Sequence, residues 1–90
     1  MSNSLADLPP LGERDLDVLQ AIVEERPRLV HVAELEGRAG CRETVCKSLR
    51  TLEAAHLVRR PRRRNGGVAA EALGVEVIKR FRAWALSRAG

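Results

Sequence analysis

From Gly12 onward the apolar positions Leu16, Leu19, Ile22 and Val23 recur at helical spacing, with Glu13, Asp15 and Asp17 in the opening turns where the helix dipole favours acids. The pattern predicts a first helix to about Glu25 or Arg26, stopped by Pro27. Leu29-Val30-His31-Val32 is a short apolar run with β-branched members, long enough for a small strand or an extended lead into the next helix. A second helix is expected over Val32 to Arg38, ended by Gly37 and Gly40. A third is expected from Arg42 to Ala55. Its Val45, Leu49 and Leu52 share one face, with Cys41 and Ser48 at the margin, while Glu43, Lys47, Arg50 and Ala54 face the other way with Cys46 at the edge.

Leu57 and Val58 then lead into Arg59-Arg60-Pro61-Arg62-Arg63-Arg64 and Asn65-Gly66, and Asn-Gly is a strong hairpin signal because both turn positions need positive φ. A two-residue turn there would set Val58 opposite Leu73 and Arg60 opposite Glu71, with Pro61 confined to an edge. From Val75 the helical period returns: Val77, Ile78, Phe81, Trp84 and Ala85 form one stripe of a last helix ending near Ser87. Residues 1–10, closing on Pro9-Pro10, are expected to form a flexible arm.

Ninety residues, 44% of them apolar, support one small core and exclude a multi-domain chain. No apolar run nears the roughly 20 residues of a membrane span and the start lacks a signal-peptide pattern, so a cytoplasmic protein is expected. Sixteen basic residues against twelve acidic give +4, and fourteen of the sixteen are arginine, whose planar fork suits phosphates and base edges. A GC-rich genome would enrich arginine too. Phe81 and Trp84 are the only rings, too few for a platform that stacks single strands, which leaves duplex as the nucleic-acid candidate.

Cys41 and Cys46 match neither a zinc pattern nor a disulfide framework, even with His31 and His56 as further ligands. Cys41 is expected as a small buried hydrophobe and Cys46 as a partly exposed thiol. No phosphate loop, dinucleotide turn or nucleophile elbow occurs. No catalytic residue, cofactor or metal site is therefore expected.

The string Thr44-Val45-Cys46-Lys47-Ser48-Leu49-Arg50-Thr51-Leu52-Glu53-Ala54-Ala55-His56-Leu57-Val58-Arg59-Arg60 resembles the recognition helix and wing start of the MarR-like and ArsR-like regulators of bacteria and archaea. Members typically read T-V-x-x-x-L-x-x-L-E-x-x-G-L-V-x-R there, and His56 replaces the glycine. Val32-Ala33-Glu34-Leu35 and Leu73 to Arg82 resemble the flanking elements, so the likeness spans about Leu11 to Arg82. It departs in a helix-turn-helix one residue short, in Glu36 where a small residue is usual, and at Gly74-Val75-Glu76-Val77.

The resemblance implies a mainly α fold with a small β-hairpin wing, a winged helix-turn-helix ordered helix, short strand, helix, helix, hairpin, helix. Residues 11–74 would be the DNA-binding domain and 75–90 a dimerisation helix. Arg42, Glu43, Cys46, Lys47 and Arg50 would face the major groove of double-stranded DNA. Arg59, Arg60, Arg62, Arg63, Arg64 and Asn65 would grip backbone or minor groove. Val77, Ile78, Phe81 and Trp84 would join two copies in a homodimer, acting as a prokaryotic, nucleoid-associated transcriptional regulator; the alternative for this stripe is a lid within the chain, closing over Leu16 and Leu19 of the first helix. Two other readings stay open. Glu36, Glu43 and the shortened turn fit a winged-helix module that binds protein, and the arginine run fits a non-specific architectural DNA binder.

Overall fold

The computed structural model describes residues 11–60 and 67–89, with side chains of the last helix described through Ser87. The chain is mainly helical with one small antiparallel sheet: α1 (Glu13–Glu24), α2 (Val32–Ala39), α3 (Arg42–Ala54), β1 (Val58–Arg59), β2 (Ala69–Ala70) and α4 (Ala72–Ala89). The expected arm 1–10 and the Asn65-Gly66 turn lie outside the described residues.

Each helix end has a local cause. Asp15 accepts the Gly12 N–H at 3.1 Å to open α1, and Glu34 accepts the His31 N–H at 2.8 Å to open α2. α2 runs through Gly37 and stops at Gly40, whose φ of +123° suits glycine, while Arg14 reaches across from α1 to donate to the Ala39 carbonyl at 3.1 Å. α3 stops in a left-handed turn at His56, φ +61°. There His56 N–H donates to the Glu53 carbonyl (3.0 Å) and Leu57 N–H to the Leu52 carbonyl (2.9 Å), the two-bond pattern that normally ends on glycine.

α1 is the centre of the core. Its Val18, Leu19 and Ile22 are fully buried with Leu35 of α2, Val45, Leu49 and Leu52 of α3, Leu57, and Ile78 of α4. α4 seats against this core because Gly74 has no side chain: a Cβ there would lie 2.2 Å from the Leu57 carbonyl oxygen. The same carbonyl accepts the Glu71 N–H at 3.0 Å.

The hairpin register differs from the expected one. Val58 lies opposite Ala70 and Arg59 opposite Ala69. The cause is the early start of α4 at Ala72 rather than Val75, which takes Leu73 into the helix and out of reach as a strand partner for Val58. The cation–acid pair survives one residue over, with Arg59 Nε 3.5 Å from Glu71 Oε1 in place of Arg60. The expected strand at Leu29–Val32 is reduced to one bridge, Val30 with Val68. Backbone groups alternate sides along a strand, so Val68, bonded to Val30, and Ala69, paired with Arg59, put this segment between Val30 and β1.

Arg28 forks onto both oxygens of Glu34, at 2.8 and 3.2 Å, and also pairs with Glu25. The Arg28 hydrogen bonds, then the His31 N–H, hold the Glu34 carboxyl at about 2. In urea unfolding, His56→Gly should raise stability by about 0.5–1 kcal/mol by relieving the left-handed side chain, net of glycine's looser unfolded chain. Gly74→Ala should lower it by about 1–3 kcal/mol through the clash with Leu57. Because the folded Glu34 carboxyl lies below its ordinary 4.5, its pair stabilises fully above that pH and is lost as pH falls toward 2. Glu34→Gln should therefore flatten the acid limb of a stability-against-pH curve.

Candidate nucleic-acid interface

α2 and α3 are joined by only Gly40 and Cys41. α3 turns Val45, Ser48, Leu49 and Leu52 into the core, which its spacing requires, and leaves Arg42, Glu43, Lys47 and Arg50 exposed with Cys46 half-buried. The five residues expected at a groove thus share one outward face. A charged outer face is ordinary on an amphipathic helix, so the distinguishing feature is how its cations are partnered.

Elsewhere most cations are neutralised. Arg28 meets Glu25 and Glu34, Arg38 meets Glu24 at 3.3 Å, Arg59 meets Glu71, Lys79 meets Glu76 at 3.6 Å and Arg82 meets Glu24 at 3.8 Å. Among the described residues, Arg42, Lys47, Arg50 and Arg60 have no carboxylate within 4 Å, although Glu43 sits on the same face. Arg14, which bonds only the Ala39 carbonyl, and Arg26 and Arg80 likewise have no carboxylate partner among the described residues. Three unpaired cations on one helix face, beside a strand that leads into more arginine, form a positive surface whose hydrogen-bond donors are not committed to the chain itself.

Of the expected wing residues, Arg59 and Arg60 are exposed at the end of β1, and Arg59 is held by Glu71. Arg62, Arg63, Arg64 and Asn65 lie outside the described residues. The Glu71 partnership was visible in the sequence as a cross-strand pair, though assigned to the neighbouring arginine.

The stripe expected to join two copies divides. Val77 and Ile78 are buried in the chain's own core and are not open to a second copy, because α4 closes over α1 with its first turns. Phe81 is half-buried and Trp84 is 56% exposed, their rings stacked with centroids 6.1 Å apart. Sequence reasoning missed Glu24, which ties α2 and α4 to α1 through Arg38 and Arg82. No local motif signals it, since its partners are remote in sequence.

Cys41 corrects a second expectation: it is exposed, not buried, because it caps α3 from outside the helix. Its Sγ lies 3.1 Å from Thr44 Oγ1. The Thr44 hydroxyl, then the Thr44 and Glu43 N–H groups, pull its thiol below the ordinary range. Among the described residues no group of three or more His, Cys, Asp or Glu is arranged to hold a metal, and no helix is long and apolar enough to cross a membrane. Comparison with protein-family models, curated proteins and solved structures finds no match.

The thiol geometry is testable on its own. Cys41 should alkylate with iodoacetamide faster near neutral pH than half-buried Cys46, and Thr44→Val should slow Cys41 several-fold, read by mass spectrometry of the modified peptides.

Proposed function

We propose that this chain is a winged helix-turn-helix protein that binds double-stranded DNA, reading the major groove with α3 and gripping the backbone or minor groove with the arginine run that follows β1. The observation that carries the reading is the outward face of α3, where Arg42, Lys47 and Arg50 have no acidic partner among the described residues while most cations elsewhere do. The order of elements supports it: two helices joined by two residues, a hairpin, and a segment bridged to Val30 just before α2. So does the resemblance to MarR-like and ArsR-like regulators, whose motif has a glycine where this chain has His56, a residue with a φ of +61°. In this reading the chain is a transcriptional regulator of a prokaryotic cytoplasm, associated with the nucleoid and acting as a homodimer whose remaining contact residues on α4 are Phe81 and Trp84.

Glu43 favours a second reading. Its carboxylate repels phosphates unless it accepts from a cytosine amino group, and a face carrying it suits a protein partner as well. Salt dependence separates the two. Fluorescence anisotropy on duplex should give an affinity that falls with salt by about 0.9 log units per log unit for each phosphate neutralised. Replacing Arg62, Arg63 and Arg64 together by alanine should lower that slope for every sequence, whereas Arg50→Ala should relax preference at one base position in a selection from random duplexes. Absence of any salt-dependent duplex binding at low ionic strength would favour the protein-binding module.

A further inference from the structure

We propose that the groove between α1 and the second half of α4 is a binding site for a lipophilic organic cation, such as a quaternary ammonium or phosphonium ion. The cavity measures about 560 Å³ and is lined by Leu11, Glu13, Leu16, Asp17, Phe81 and Trp84. Its size falls within the range of small-molecule pockets, roughly 300–1,000 Å³. Both rings of the chain are in its wall, stacked with 25° between their planes. The charged groups in the lining are both carboxylates. Glu13 and Asp17 stand four residues apart on α1, so they share a face and repel each other, and neither has a cationic partner among the described residues.

Aromatic faces and uncompensated carboxylates around an apolar floor attract the same chemistry, a positive charge carrying hydrocarbon bulk. Anions are repelled there and neutral compounds gain only apolar contact. A second groove, of about 790 Å³ beside His56, carries Glu53, Glu71 and Glu76, but Arg59 and Arg60 line it too and Glu71 is already paired. That groove therefore already holds cations in its own wall.

A second copy of the chain would have to cover the same rings. The groove favours the small cation because, beyond the two rings and Ala85, α4 adds no large apolar side chain to that face: Leu86, 75% exposed, lies about 200° around the helix from Trp84. The two occupants exclude each other. Resting on the DNA reading, this makes the cation a regulator that holds chains apart and weakens binding to a two-fold operator.

Trp84 is the sole tryptophan, so its fluorescence reports occupancy directly. Tetraphenylphosphonium should quench it saturably, and the neutral triphenylphosphine oxide should bind at least about tenfold more weakly. Glu13→Gln with Asp17→Asn should cost the cation about tenfold in affinity and leave the neutral compound unchanged, with circular dichroism verifying the fold. Equal affinity for the two compounds on the unaltered chain, or no saturable change, overturns the proposal. A sedimenting dimer that the cation neither quenches nor dissociates overturns it in favour of the second copy. Cation binding without any duplex binding would leave the groove standing and remove the DNA reading alone.

Discussion

The turn at His56–Leu57 is the constraint on which the rest of the chain depends. Leu57 is fully buried, its N–H closes the last turn of α3 on Leu52, and its carbonyl takes the N–H of Glu71 just before α4. The same carbonyl oxygen sets how near α4 can come, and Gly74 is the residue that permits the approach. One residue therefore ends the third helix, starts the first strand and seats the fourth helix. A left-handed side chain costs about 1–2 kcal/mol relative to the right-handed basin. The burial of Leu57, of order 1.5–3 kcal/mol, is large enough to hold His56 in that conformation.

Charge is distributed with a similar division of labour. Removing the five arginines between 59 and 64 leaves eleven basic residues against twelve acidic, so the excess that makes the chain cationic is local to one segment. The balanced remainder forms cross-links between elements, of which Glu24 with Arg38 and Arg82 is the widest. Exposed pairs of this kind contribute about 0–1 kcal/mol each, so leaving Arg42, Lys47 and Arg50 unpaired costs the fold little. Their value lies in what they can still bond. A helix face free of internal partners has no ion pair to break before it meets a phosphate.

The helices were legible because their cause is local: the period of Val45, Leu49 and Leu52, the acids Asp15 and Glu34 three residues after each helix cap, and Pro27 just beyond α1. The exposed face of α3 was legible for the same reason, being the complement of that period. What the sequence hid was decided at a distance. The register of β1 against β2 follows from where α4 starts, and that depends on Gly74 against Leu57, seventeen residues apart. Val77 and Ile78 read as either an interface stripe or a lid on the first helix, because helical spacing marks an apolar face without naming its partner, and that partner is α1. Cys41 read as core because it lies at the margin of the apolar arc, whereas a capping position turns its side chain away from the packed face.

The division within α4 gives the molecule a mechanical logic. Its first turns are part of the core, and its later turns carry the chain's only rings on a face flanked by two acids of α1. Both halves belong to one helix. The earlier turns carry Gly74, whose lack of a side chain lets them approach the Leu57 carbonyl, and Leu57 is also the residue that ends α3. Packed interiors resist continuous deformation and transmit displacement through such contacts. The ring-lined groove and the end of α3 are thus joined by one helix and one close backbone approach with no side chain between them.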